Sequence, residues 1–481
     1  MPRLLPPLLL VVAALLAGCG GEGYEPEIRE GEKRIGAGQH PQLLAEFGGA
    51  YRAPEAEYAR RIGERIAAAA RLEGECTFTL VNSDVVNAFA VPGCYIYVTR
   101  GLMGIVNSEA ELASVLAHEV GHIVAAHNRR QQRRSLWRSL GVIAVGAITG
   151  SDKLARIAGR AAEYFTLRYS RKQEYEADDL GVRYLAAAGY DPYAAGDMLG
   201  ALGRHEQYMA RTRGRDEARA IPEWASTHPL AGNRVERAAR TAAATGIADG
   251  ALPELETDYL REVDGLLYGD DPEQGFVDGR RFAHPVMRIG FEAPPGFTLT
   301  NSPQAILIEG LDGSRGEFGG GPMPTGGLAA YAQGVLAVLL RNAPAEIGPA
   351  EPTRINGVAA LLVPVLVRTN EGAIELSLAA YDGGKGGAYH FIMVAPPADA
   401  SRGAIAALFG SFRLLSPEEA GSLRPRRIRT VRVGAGQTAA SFARQMASDH
   451  PLDHFLMLNG RGPGEALRPG ELVKTVTFVP R

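Results

Sequence analysis

The stretch "LAHEVGHIVAAHNRR", Leu116 to Arg130, holds three histidines in ten residues, two of them bracketing a glutamate. Just upstream, Ser108-Glu109-Ala110-Glu111 has the form of a helix N-cap, and the apolar spacing that follows predicts a helix carrying the motif. Residues four apart on a helix lie one above the other, so His118 and His122 project from one face toward a single ion. Glu119, turned by about 100° from His118, can reach a water on that ion without displacing it. Zinc suits this arrangement because it lowers the pKa of bound water to about 7, where a carboxylate can take the proton. The helical spacing excludes His127. It lies about 140° around from His122 and about 180° from His118, and is expected to face away from the metal in a structural role.

The rest of the site must come from elsewhere in the chain. "YSRKQEYEADDLGVRYL" (Tyr169 to Leu185) reads as an acidic helix. Glu174 and Asp178 share one of its faces, and Glu176 points away from them. A carboxylate beside two histidines leaves one position open for water, the catalytic rather than the structural pattern. Glu174 is the best candidate, and Asp178, one turn on, can fix a ligand imidazole by hydrogen bonding.

Four blocks now stand in order: "NAFAVPGCYIYVTRGLM" (87–103), "SEAELASVLAHEVGHIVAAH" (108–127), "SRKQEYEADDLG" (170–181) and "STHPLAGNRVER" (226–237). Together they make residues 40–245 resemble the zinc metallopeptidases that include the CaaX prenyl protease, HtpX, the mitochondrial OMA-type protease and periplasmic BepA, which are gluzincins. The resemblance implies one zinc per chain, with Glu174 as third ligand beside His118 and His122. It implies that Ala88, Phe89, Ala90, Val91 and Pro92 form an edge strand that pairs with an extended substrate. His228 matches a histidine that caps the zinc or swings toward the oxyanion, and Arg234 an arginine that assists substrate or active-site packing. The membrane spans of the prenyl-protease and HtpX branches are missing from this sequence, so prenylated substrates do not carry over. No 34-residue repeat is evident, so recognition through tetratricopeptide repeats does not carry over either.

The remainder frames this core. A length of 481 residues predicts two to four domains, and the net charge of −3 gives no reason to expect a nucleic-acid partner. "MPRLLPPLLLVVAALLAGC" has an apolar run too short to span a bilayer and resembles a lipoprotein signal, implying cleavage before Cys19 and acylation there. Gly20 after it favours the outer membrane. Residues 19–40 read as a tether. Cys76 and Cys94 fit either a disulfide or two separate buried thiols. The apolar patch 136–148 reads as a core helix or a cover near the cleft, with membrane contact as the alternative.

Beyond about residue 268 the texture changes to alternating strands, with helices at about 326–342 and 399–411. This pattern is α+β and similar in element order to the PsbP/Mog-like fold. A basic linker, 423–430, leads to a final stretch that resembles a LysM domain at Val433, Gly436, Thr438, Phe442, Ala443, Asn459 and Gly470, with Gln437 in place of the usual Asp.

The expected fold class is therefore α+β: a mainly helical gluzincin domain with a small β-sheet (41–265), an α+β domain (280–416) and a LysM-like domain (428–481). The expected function is zinc-dependent endopeptidase activity with Glu119 and His228 catalytic. Its substrates would be unfolded or misassembled proteins, in a periplasm-facing, lipid-anchored envelope protein concerned with quality control. Two alternatives stand beside it: a latched, zinc-stabilised chaperone or scaffold, and a wall-anchoring protein that binds peptidoglycan.

Overall fold

A computed structural model of the chain describes residues 26–130, 169–212, 224, 228, 233–302, 304–341, 343–369, 372–395 and 399–480. The leader, Cys19 and the apolar patch at 136–148 lie outside the described residues. Helix and sheet are mixed throughout, an α+β architecture.

Helix α1 (Glu30–Glu46) occupies much of the span expected to be a tether. Its glycines mislead at the level of composition. Gly36 is the buried residue of this helix, and a Cβ there would stand 2.2 Å from the carbonyl oxygen of Pro92 and 2.5 Å from the ring of Tyr95. Glycine here permits close approach rather than disorder. Helix α2 (Pro54–Ala69), with proline in its first turn, buries Tyr58, Ala59, Ile62, Ile66 and Ala67 along one stripe.

Strands β1 (Thr77–Val81), β2 (Ala88–Val91) and β3 (Tyr95–Thr99) form a sheet in the order β1-β3-β2. β1 and β3 are parallel and start opposite one another, Thr77 against Tyr95. The residues just before them, Cys76 and Cys94, are therefore adjacent and joined as a disulfide. β2 runs antiparallel to β3 and is the outer strand of this sheet among the described residues. Helix α3 (Arg100–Ile105), capped by Thr99, leads to α4 (Glu109–Val124), capped by the hydroxyl of Ser108, which accepts from the Glu111 amide at 3.1 Å. All but two of the 16 residues of α4 are buried, so it is the central rod of this part of the molecule.

Helix α5 (Arg171–Ala187), capped by Ser170, crosses α4 at close range. A Cβ on Gly121 would lie 2.9 Å from the Ala177 carbonyl, and one on Gly181 would lie 3.2 Å from the His118 amide. Helices α6 (Ala194–Thr212), α7 (Arg234–Ala243) and α8 (Glu256–Glu262) complete the bundle, and β4 (Leu267–Tyr268) leaves it.

The middle of the chain has two sheets. β5 (Phe276–Asp278), β6 (Arg281–His284) and β7 (Ile289–Glu292) join a later strand, β16, in one of them. The larger comprises β8 (Phe297–Asn301), β9 (Ile306–Gly310), β10 (Arg315–Pro322), β11 (Ala345–Ile347), β12 (Glu351–Ile355), β13 (Val358–Thr369), β14 (Gly372–Gly384) and β15 (Gly387–Ala395). Helix α9 (Gly327–Leu340) covers one of its faces and α10 (Asp399–Gly410) the other. The strand period of two explains this: Leu376, Leu378 and Ala380 pack with Leu336 and Leu339, while Ala379 and Tyr381 pack with Leu408 and Phe409. β16 (Arg413–Leu414) and α11 (Pro417–Ser422) follow.

Residues 423–430, read as a linker, are largely strand. β17 (Arg426–Arg432) pairs with both β4 and β18 (Leu472–Phe478), and it buries Ile428 while its arginines stay at the surface or half-buried. Between them come α12 (Ala439–Ala443) and α13 (Pro451–Leu458). This β-α-α-β unit is not suspended from the rest. Ile428, Phe442, Phe455, Val473 and Val476 share one core with Leu102, Met103, Leu112 and Val115. The buried Lys474 ammonium donates to the carbonyls of Gly104 and Val106 at 2.9 and 2.7 Å, at the end of α3. Among the described residues no helix is long and apolar enough to cross a membrane.

Candidate active site

Helix α4 turns His118, Glu119 and His122 inward, and the close crossing sets Glu174 and Asp178 of α5 opposite them. His228 closes the group from a third direction. Its ring lies on Trp224, with centroids 4.2 Å apart and planes 22° apart, and its amide donates to the Trp224 carbonyl at 2.7 Å.

One donor atom from each of His118, His122, Glu174 and His228 lies within 4.8 Å of all the others. His122 Nε2 and His118 Nε2 are 3.0 Å apart, His118 Nε2 and His228 Nδ1 3.3 Å, and His228 Nδ1 and Glu174 Oε1 3.1 Å. His122 Nε2 lies 3.6 Å from Glu174 Oε1. Ligands about 2.0–2.1 Å from a tetrahedral zinc stand about 3.4 Å from one another, so the spacing and the donor set both fit that ion.

The electrostatics agree. Burial pushes the Glu174 carboxyl up, but His228, His118 and Arg234 outweigh it and hold the group below its ordinary range. Asp178 is likewise buried, yet His118 and Arg234 hold it well below the ordinary carboxylate range. Burial keeps His122 well below its usual value and therefore neutral. An ionised carboxylate and a neutral imidazole are the forms that bind a metal. Glu119 behaves differently. Burial lifts it to about 7, with Glu174 adding to the rise and His118 and the Ala90 amide opposing it. A carboxylate near 7 is matched to proton transfer at neutral pH.

Around this centre Asp178 Oδ1 lies 2.9 Å from His118 Nδ1. Arg234 grips Asp178 through two hydrogen bonds of 2.8 and 2.7 Å and lies 2.9 Å from Glu174 Oε2. With its guanidinium buried and so engaged, Arg234 is not presented to substrate. From α7 it holds the two carboxylates in place.

His127 departs from expectation. α4 ends at Val124, and Ala126 takes a left-handed backbone (φ 53°), so helical angles cannot be carried as far as residue 127. The chain folds back and brings His127 Nδ1 to 2.8 Å from His122 Nδ1. His127 is outside the four-donor cluster but touches one of its members.

Ala88–Val91 form the edge strand β2, with Pro92 directly after it. The Thr99 amide donates to the Asn87 carbonyl, so by alternation Ala88 and Ala90 turn their backbone groups outward. The Ala90 carbonyl accepts from the Asn128 amide at 3.3 Å, and Tyr169 donates to Asn128 Oδ1 at 2.7 Å while its ring stacks on His122. Sequence reasoning missed Asn128, Tyr169 and Trp224. Tyr169 precedes α5, and Asn128 sits in a new helical turn beyond the left-handed Ala126, so the spacing of α4 gives no direction for either. Trp224, four residues before His228, was detectable as a one-turn neighbour.

The model of Peptidase family M48 matches residues 53–242, from the start of α2 into the last turn of α7. The chain is 36% identical over 164 residues to the mitochondrial metalloendopeptidase OMA1 of Arabidopsis thaliana, covering 34% of this chain and 31% of that protein. It is 31% identical over 192 residues to the beta-barrel assembly-enhancing protease of Yersinia pestis, covering 38% of each. The matched stretch thus spans about a third of these relatives' lengths. A solution structure of cyanobacterial PsbP from Synechocystis aligns with a TM-score of 0.24 at 14% identity, over 30% of this chain and 98% of that one. At that score the likeness carries no weight for fold or function.

Proposed function

We infer that this chain, which carries a Peptidase family M48 domain over residues 53–242, is a zinc-dependent endopeptidase of the bacterial envelope. The observation that carries the reading is the set of four buried metal donors with Glu119 beside it. A zinc ion held by His118, His122 and Glu174 would polarise the scissile carbonyl and acidify water. Glu119 takes a proton from the attacking water and returns it to the leaving amine. An extended peptide pairs with the outward groups of Ala88 and with the Ala90 carbonyl, where the Asn128 side-chain amide gives way, so recognition is largely through backbone.

Unfolded or misassembled envelope proteins are the proposed substrates, and quality control the role. Acylation at Cys19 is the proposed attachment to the membrane, with the outer membrane as its site. Residues 428–481 are read as a LysM-like unit with peptidoglycan as its candidate ligand, tested by co-sedimentation of the full chain with purified wall.

The test of activity is cleavage of casein and of an unfolded outer-membrane protein. Glu119→Gln is expected to keep one zinc per chain and to lose about 10²- to 10⁴-fold in kcat/KM. Unchanged cleavage by that variant overturns the mechanism. The buried His228, a fourth donor that closes the cluster, favours a second reading in which the resting site is latched. Under it, His228→Ala raises proteolysis; lost proteolysis supports an oxyanion role instead.

A further inference from the structure

We propose that His127 and Glu176 are positioning residues that fix the tautomer and ring orientation of His122, and so set how tightly the site holds its metal. The inference rests on the reading of His122 as a ligand through Nε2.

The donor and acceptor pattern admits one assignment. His122 Nε2 faces the cluster, 3.0 Å from His118 Nε2, so its Nδ1 faces outward to His127 Nδ1 at 2.8 Å. Two imidazole nitrogens at that distance share one proton, one donating and the other accepting. A metal-facing Nε2 carries no proton, so the His122 proton is on Nδ1 and His127 Nδ1 accepts it. The proton of neutral His127 is then on Nε2, which lies 3.2 Å from Glu176 Oε2, a carboxylate that accepts. The same oxygen receives Arg130 at 3.1 Å. Each link has a single donor and a single acceptor.

The other helical ligand is backed in the same manner. His118 Nδ1 meets Asp178, which Arg234 holds. Both chains run imidazole to carboxylate to guanidinium, and that of His122 contains one extra imidazole. The Tyr169 ring, stacked 3.8 Å from His122, leaves the ring little freedom except along this chain. Partners of this kind typically change metal affinity by about 10- to 100-fold when removed.

The experiment measures zinc affinity of the full chain by competition with a chromophoric chelator, and the visible spectrum of the cobalt-substituted protein. His127→Phe fills the same space without nitrogens and is expected to weaken zinc by about 10- to 100-fold and to alter the cobalt bands. His127→Asn, which returns an acceptor oxygen near Nδ1, is expected to recover most of the affinity. Glu176→Gln, which keeps the shape of the side chain, should weaken zinc alone but add nothing in the His127→Phe background. Unchanged affinity and spectrum in both His127→Phe and Glu176→Gln, with wild type binding zinc, overturn the relay and leave the peptidase reading intact. Failure of the wild type to bind zinc overturns both.

Discussion

Arg234 is a buried cation between two buried carboxylates, Asp178 and Glu174, and each of those faces a histidine of the metal cluster. Removing one member of such a group leaves charge without compensation at low dielectric, which typically costs about 3–5 kcal/mol. Arg234→Met is therefore expected to lower the unfolding free energy of the metal-free protein by that order, read as a lower urea midpoint, and to weaken zinc as Glu174 loses its anchor. A midpoint within error of wild type rejects the positioning role. At this scale the sequence was informative where residues act from a regular helix. Four-residue spacing put His118 with His122, and Glu174 with Asp178, on common faces. It was uninformative for His127, because a single left-handed residue, Ala126, redirects the chain within one step.

The elements that matter most are α4 and α5, and glycine sets their separation. At Gly121 the helices approach too closely for a side chain: a Cβ would meet the Ala177 carbonyl at 2.9 Å and the Leu180 Cβ at 3.4 Å. Gly121→Val is expected to destabilise by about 1–3 kcal/mol, the usual penalty of overpacking, and to move Glu174 away from the histidines. Calorimetry and zinc titration check the two effects. Unaltered zinc binding in a destabilised protein would show that α5 can shift without disturbing the donors. The sequence showed both helices and the Ser108 cap of α4, but not that a glycine inside the motif is a contact point. Composition likewise concealed α1, whose Gly36 serves close packing on Pro92 and Tyr95.

Across the whole molecule, the C-terminal unit shares the core of the domain that carries the four metal donors. Lys474 crosses from β18 to the end of α3, near Glu111 in the first turn of α4. Burial lowers Lys474 to about 7 and raises Glu111 to about 7, with opposite signs for stability. Glu111 binds its proton more tightly folded than unfolded, so its contribution is lost as pH rises through about 7. Lys474 binds its proton less tightly folded, so its contribution grows as pH rises above about 7 toward its unfolded value. Stability is expected to dip near neutrality and recover on the alkaline side, and Lys474→Met should abolish that recovery. Urea midpoints from pH 6 to 9 test this, and an identical alkaline limb in the variant rejects it. The sequence by itself determined the periods: a strand period of two, with the helices at 327–340 and 399–410 close to their expected places, and the helical spacing of the metal donors. Only the tertiary structure decided that His228 closes the cluster, that His127 touches His122, and that residues 426–478 share a core with α3 and α4. Periodicity is a property of neighbours along the chain. The convergence of groups a hundred or more residues apart depends on which buried faces pack together, and no local pattern encodes that.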